Sequence, residues 1–295
     1  MERTLIGKRE WRDPRVRLGY ALAYLAFAAG AVLTVVPFAW MVLSSLKPAG
    51  EIFRFPAEWI PSRWDFSTYA QALERVPFAR YCVNSLVYCA GVVAGQLLLS
   101  AVAAYSLSKL KPRYSRFWLL LILSTLMIPF ETILIPLYLQ MRAFPLGWEG
   151  LPHVNLINTM WALILPNVVS AFNVFVLKGF FDRLPNDVIF AARIDGASEW
   201  GIFARLALPL SRPIMTVLGI FSFILTWNSF FWPLIALNEP RTYTLMLGVQ
   251  KLIETGEPWN VIMAAVTLTT LPTVLVFLMF QRWIMRGIVF TGLQG

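Results

Sequence analysis

The chain has 295 residues, 58% of them apolar and 14% charged, against about 25% charged in soluble globular domains. No soluble core of this size holds such an excess, and a lipid-facing surface is the expected arrangement. With 22 Phe, 12 Trp, 17 Gly and two Cys, the composition also excludes disorder, collagen-like repeats and a disulfide scaffold. Cys82 and Cys89, about 10 Å apart along one helix, read as packing residues.

Uncharged runs long enough to cross about 30 Å of hydrocarbon occupy residues 18–46, 81–108, 150–177, 213–238 and 258–281. A sixth, 117–141, is interrupted only by Glu131. Helices satisfy their own backbone in lipid, and the alternating ten-residue segments of barrel strands are missing. The expected fold is therefore all-α: a polytopic membrane protein with six transmembrane helices between tails at 1–17 and 282–295. The first run is too long for the apolar core of a signal peptide and lacks an A-x-A-like cleavage site, so it is expected to be retained.

Between these runs, the first, third, fifth and seventh segments carry 17 Lys and Arg, and the other three carry 8. The positive-inside rule then places both termini in the cytoplasm. The calculated pI of about 9.8 reflects membrane topology rather than a nucleic-acid partner, because no contiguous basic face is visible. Trp11, Trp40, Trp118, Trp232, Trp259 and Trp283 fall near the ends of runs, where amphipathic rings favour the headgroup layer.

The external loop at 47–80 holds Pro48, Pro56, Pro61 and Pro77 and reads as irregular, with a short helix near 67–74. The cytoplasmic loop at 178–212 is more informative. Pro185 and Asp187 suit a helix start, Gly196 suits its end, and Ser198 suits the cap of a second helix closed off by Pro209. Asp195 is placed to bond the amides freed at the turn. Ala191, Ala192 and Ala197 leave a shallow surface near the bend on which another protein's backbone fits closely; packing under the chain's own bundle would account for Ile189, Ile194 and Phe203 equally well.

At these residues the sequence resembles the permease subunits of bacterial ATP-binding-cassette importers. Their cytoplasmic signature is E-A-A, then Gly three residues on, then an apolar tail ending in L-P. Ala191-Ala192-Arg193-Ile194-Asp195-Gly196-Ala197-Ser198 and Leu206-Ala207-Leu208-Pro209 follow that pattern, with Phe190 where the family has Glu. Met127-Ile128-Pro129-Phe130-Glu131, Thr226-Trp227-Asn228-Ser229-Phe230 and the ending Gly292-Leu293-Gln294-Gly295 are similar to the second permease of maltose and glycerol-phosphate importers. The resemblance implies the type I importer permease fold in a bacterial cytoplasmic membrane. It also implies a heterodimer with a second permease, two ATPase subunits that hold ATP and Mg, and an extracytoplasmic substrate-binding protein.

The same resemblance makes the loop a coupling helix between the fourth and fifth crossings, with Ala191, Ala192, Asp195, Gly196, Ala197, Ser198 and Pro209 as ATPase-coupling residues. Replacing Gly196 by Val is expected to uncouple transport from hydrolysis. The chain has no G-x-x-x-x-G-K-S/T loop to hold ATP itself. Glu131 is an acid inside a span, costly enough to suggest function. Asn167, Asn173 and Asn228 suit sugar hydroxyls, and Trp227 offers a ring face; helix-to-helix bonding is the competing use of the Asn side chains. His153 is the only histidine, so no metal site and no catalytic group are assigned, and the chain is not expected to be an enzyme. A proton-coupled carrier is the alternative, but such carriers usually show repeated halves and several buried ionisable groups.

Overall fold

The computed structural model describes residues 13–145 and 152–292, with side chains as far as residue 282. Expectations for Trp11, the Trp283 side chain, the start of the 150–177 run and the last three residues lie outside the described residues. The described part is helical. It has no strand beyond one isolated bridge between Phe144 and Val154. Two compact units form, one from residues up to Arg75 with Gly256–Leu268, the other from Val76–Thr255 with the chain from Thr269 on.

In the first unit, α1 (Pro14–Ser45) starts where Asp13 caps it by accepting from the Arg15 amide at 2.8 Å, with Pro14 in its first turn. Its apolar residues stay exposed within the chain, as a lipid-facing helix requires. At its foot Lys47 is fully buried. The Lys47 ammonium lies 4.0 Å from the centre of the Trp40 ring and donates to the carbonyl of Glu58. The Lys47 carbonyl accepts from Asn260 at 3.1 Å. The short helix expected near 67–74 is α2 (Ser67–Arg75), and Arg75 pairs with Glu257 at 3.0 Å.

The second unit is built on α3 (Phe78–Tyr105), which runs into a π-helical turn over Ser106–Leu110. Next come α4 (Ser115–Ser124) and α5 (Phe130–Arg142), bent by 100° around the break that Pro129 ends. After α6 (Met160–Ile164) the chain bends by 43° into α7 (Ala171–Asp182). Then follow α8 (Asn186–Ile194), α9 (Glu199–Ile202), a π-helical turn at Phe203–Ala207, α10 (Leu208–Leu210) and α11 (Arg212–Trp227). The short α12 (Phe231–Ala236) and α13 (Leu245–Glu254) precede α14 (Trp259–Gly292).

Three described helices are long and apolar enough to cross a membrane, and up to six spans result if each bent pair is one. Several boundaries differ from the runs in the sequence. The run at 213–238 stops being a single helix at Trp227, because the Asn228 side chain turns back onto the Ile224 carbonyl at 2.8 Å and Pro233 lies in a separate short helix. Pro209 does not close the second loop helix. Helical backbone continues through it to Leu210, since the wide turn at Phe203–Ala207 absorbs a residue that offers no amide hydrogen. The last helix continues past residue 281 to Gly292.

The centre of this unit is α3 packed on α7 and α11. Around Ala101, Ala104, Leu177, Phe181, Ile202 and Ala207 the core is made of small, branched and aromatic residues. A second cluster gathers Tyr88, Val92, Leu163, Trp232 and Leu247. The Trp232 indole donates to the Ala162 carbonyl at 2.9 Å, which fixes α12 against α6. α13 is held to α3 by Ser85, whose hydroxyl accepts from the Leu245 amide at 2.8 Å.

Candidate functional site

Two places in the second unit gather the residues singled out in the sequence. The first is the elbow between α8 and α9. Its base is clamped to the end of α3: the Lys109 ammonium donates to the Leu184 carbonyl and to Asn186 Oδ1, each at 2.8 Å, and Ser108 donates to Asp182 at 2.6 Å. α8 ends in a left-handed residue, Gly196 at φ +81°. There the Gly196 amide donates to the Arg193 carbonyl at 3.1 Å and the Ala197 amide to Ala192 at 3.0 Å. These two bonds form the glycine-terminated helix end known as a Schellman motif. The turn is closed by backbone carbonyls, not by the Asp195 carboxylate as the sequence suggested.

Ser198 caps α9 as expected, its hydroxyl accepting from the Gly201 amide at 3.2 Å. Across the bend Arg193 Nε lies 2.7 Å from Glu199 Oε1, and this carboxylate holds the Arg193 guanidinium above its ordinary pKa. Tyr105, at the end of α3, reaches Glu199 Oε2 at 3.4 Å. Ala192 packs inward on the core, whereas Ala191, Asp195, Gly196 and Ala197 are exposed. Phe190, Trp200 and Ile194 are exposed as well, Ile194 to 87%. Phe190, in the position of the signature Glu, lies beside the Arg193 guanidinium at 5.7 Å. The elbow thus offers a small apolar surface around one bent backbone.

The second place is a cavity of about 430 Å³ among α3, the break between α6 and α7, and α11. Gln96, Asn167, Asn173, Ser222 and Ser229 form part of its wall. Ser170 caps α7 by accepting from the Asn173 amide at 3.2 Å, and so places Asn173 at the start of that helix. Asn173 is 3% exposed. Its side-chain amide donates to Gln96 Oε1 at 3.2 Å and to Ser222 at 3.3 Å, while Ser222 donates to Gln96 Oε1 at 2.7 Å. The Gln96 amide donates in turn to the Asn167 carbonyl at 2.8 Å. Asn167 itself donates to the Leu163 carbonyl at 2.9 Å and to the Tyr88 hydroxyl at 3.4 Å.

The structure therefore brings Asn167 and Asn173 together and leaves three other candidates apart. Trp227 is 2% exposed, stacked with Phe223 at 5.6 Å, and donates to the Thr269 carbonyl at 3.1 Å, so its ring is part of the packing. Asn228 is exposed and caps α11. Glu131 is exposed in the first turn of α5, where a carboxylate suits the positive end of the helix dipole. Gln96, Ser222 and the rings of Phe172 and Phe221 belong to the wall and were missed. The available signal was that Gln96, Asn173 and Ser222 are polar groups inside three different apolar runs. Among the described residues no cluster of His, Cys, Asp or Glu is arranged to hold a metal ion.

Helices long and apolar enough to cross a membrane mark a multi-pass membrane protein. Residues 96–289 match the family described as binding-protein-dependent transport system inner membrane component, and the chain belongs to it. The arabinooligosaccharides transport system permease protein AraQ of Halalkalibacterium halodurans is 31% identical, covering 93% of this chain and 96% of that protein. The sn-glycerol-3-phosphate transport system permease protein UgpE of Agrobacterium fabrum is 28% identical, covering 92% and 96%. A solved bacterial ABC transporter involved in the import of the acidic polysaccharide alginate superposes with a TM-score of 0.78 at 21% identity, covering 92% of this chain and 98% of its own. That likeness extends the fold to nearly all of the chain.

Proposed function

We propose that the chain is one of two permease subunits of an ATP-driven importer for a sugar or sugar derivative. The elbow around Gly196 couples it to a separate ATPase. The observation that carries this reading is the elbow itself, which keeps Phe190, Ile194 and Trp200 in solvent. Exposed apolar groups of this kind around a fixed turn mark a surface that another protein covers. Small residues at Ala191 and Ala197 let that partner approach the backbone closely.

In this reading both termini are cytoplasmic, a loaded external binding protein delivers the substrate, and ATP with Mg is held on the ATPase pair. Closure of that pair moves the elbows as rigid bodies and switches the permease pair between inward-open and outward-open states. The substrate path on this side includes the cavity walled by Gln96, Asn167, Asn173 and Ser222. The class of relatives supports a carbohydrate, since those compared are named for arabinooligosaccharides and for glycerol phosphate.

The test is a cysteine at Ala197 in the assembled complex, paired with single cysteines on the co-purified ATPase. Disulfide cross-linking whose yield changes with ATP, together with uptake abolished by ATP depletion and preserved on collapse of the proton gradient, is the expected result. A chain that imports sugar without any ATPase would be a proton-coupled carrier, and the proposal would be wrong.

A further inference from the structure

Given that the cavity among α3, α7 and α11 is part of the path, its wall indicates what passes. We infer that the substrate is an uncharged glycoside or polyol, not a phosphorylated or carboxylated one. The names of the relatives do not decide this, because one is named for neutral oligosaccharides and another for a phosphate ester. The chemistry of the wall does. Among the described residues, no Lys, Arg, His, Asp or Glu lines the cavity.

The hydrogen-bond directions sharpen the point. Both hydrogens of the Asn173 amide are used, on Gln96 and Ser222, and both of Asn167, on Leu163 and Tyr88. The Ser222 hydroxyl donates to Gln96. Among the described residues, the side-chain carbonyls of Asn167 and Asn173 accept nothing, so what these amides offer a substrate is acceptor oxygen. A sugar hydroxyl donates to such an oxygen. A phosphate or carboxylate has only acceptors of its own and is repelled.

The N-terminus of α7 would be the other way to hold an anion. There the Ser170 hydroxyl already takes the Asn173 amide at 3.2 Å. An anion entering here would lose its water and gain no cation, whereas a hydroxyl exchanges one hydrogen bond for another. The exposed rings of Phe172 and Phe221 on the same wall fit the apolar C–H face of a sugar ring.

The experiment is uptake by cells carrying the complete transporter with its own binding protein. Labelled arabinotriose and maltotriose are the neutral probes; sn-glycerol 3-phosphate and digalacturonate are the anionic ones. Entry of a neutral probe, with each anion below about 1% of its rate, is expected for a site walled by uncharged groups. Entry of an anion at a comparable rate would overturn the inference and leave the sugar-derivative reading intact. Entry of no probe would overturn that reading, and the inference with it.

A second measurement ties the selectivity to this wall. Gln96→Glu keeps the shape but turns the donor to the Asn167 carbonyl into an acceptor. It is expected to lower the maximal rate for the neutral probe about tenfold, at unchanged half-saturation and unchanged amount of complex in the membrane. An unaltered maximal rate would show that the cavity does not read the substrate.

Discussion

Arg193 and Glu199 face each other across the bend at Gly196, with 2.7 Å between Nε and Oε1, although both are partly open to solvent. An ion pair so exposed adds little to folding. It spans the angle between α8 and α9, and Tyr105 reaches the same carboxylate. Glu199→Gln should therefore leave expression and assembly unchanged and loosen the link between substrate arrival and hydrolysis. The readout is the ratio of sugar imported to ATP consumed in proteoliposomes. An unchanged ratio would mean that the pair is incidental.

The Gly196 turn gives a graded series. A Cβ at Gly196 meets nothing within 4 Å, so only the backbone angle of φ +81° opposes a side chain there. Asn tolerates that region, and a β-branched residue does not, at a cost of about 1–3 kcal/mol. Gly196→Asn should retain most coupled transport, while Gly196→Val should insert normally and lose substrate-stimulated hydrolysis. Equal stimulation in the two variants would remove the turn from the mechanism.

Gly91 and Gly95 let α3 approach the break between α6 and α7. A Cβ at Gly95 would lie 2.7 Å from Val168 Cβ and Cγ1 and 3.2 Å from its Cα, whereas at Gly91 the nearest atom is the mobile Cδ1 of Ile164 at 2.7 Å. Gly95→Ala should cost about 1–3 kcal/mol through overpacking, and Gly91→Ala distinctly less. Melting temperatures of the detergent-solubilised complex would rank them, and the reverse order would contradict this packing.

Lys47 is a buried cation shared by the Trp40 ring and the Glu58 carbonyl. Lys47→Met keeps the length but leaves that carbonyl without its charged donor, at about 1.5–3 kcal/mol. Protease cleavage between residues 48 and 66 should speed up accordingly. Lys47→Arg should not rescue it, because a planar fork does not replace a compact ammonium.

The same segment after α1 should respond to acid. Hydrogen bonds from Ser67 hold the Asp65 carboxyl below its ordinary value of 3.8, and those from Ser62 hold Glu51 below 4.5. For a depressed folded pKa, the stabilisation is complete above the ordinary value and disappears as pH falls through the lower folded value. Amide protection factors across residues 49–75 should therefore be steady near neutrality and drop only below the ordinary carboxylate range. In Asp65→Asn the acid-dependent part assigned to Asp65 should vanish.

The apolar runs were legible because charge is costly in lipid, and α1 and α3 follow their runs closely. The breaks were not, since each depends on where a tertiary partner satisfies a freed backbone group. Pro209 reads as a stop but lies within helical backbone because a π-helical turn precedes it. The Gly196 turn was legible from one glycine after a helix-length stretch, yet which groups close it was not, as backbone carbonyls compete with Asp195. In the cavity, Asn167 and Asn173 stood out by type. Gln96 and Ser222 did not, because a single polar side chain in an apolar run reads equally as a contact between helices until the three runs are brought together. Trp227 showed the opposite failure, its ring enclosed by its own neighbours.

The uncharged wall of the cavity has an electrical consequence. Moving one elementary charge through the membrane field is worth about 2.3 kcal/mol per 100 mV, but amides and hydroxyls carry no net charge for that field to pull. If Gln96, Asn173 and Ser222 reorient in the proposed path, they move almost no charge through that field. Voltage then acts on them only weakly, and depolarising the cell should leave their part of the cycle nearly as it was.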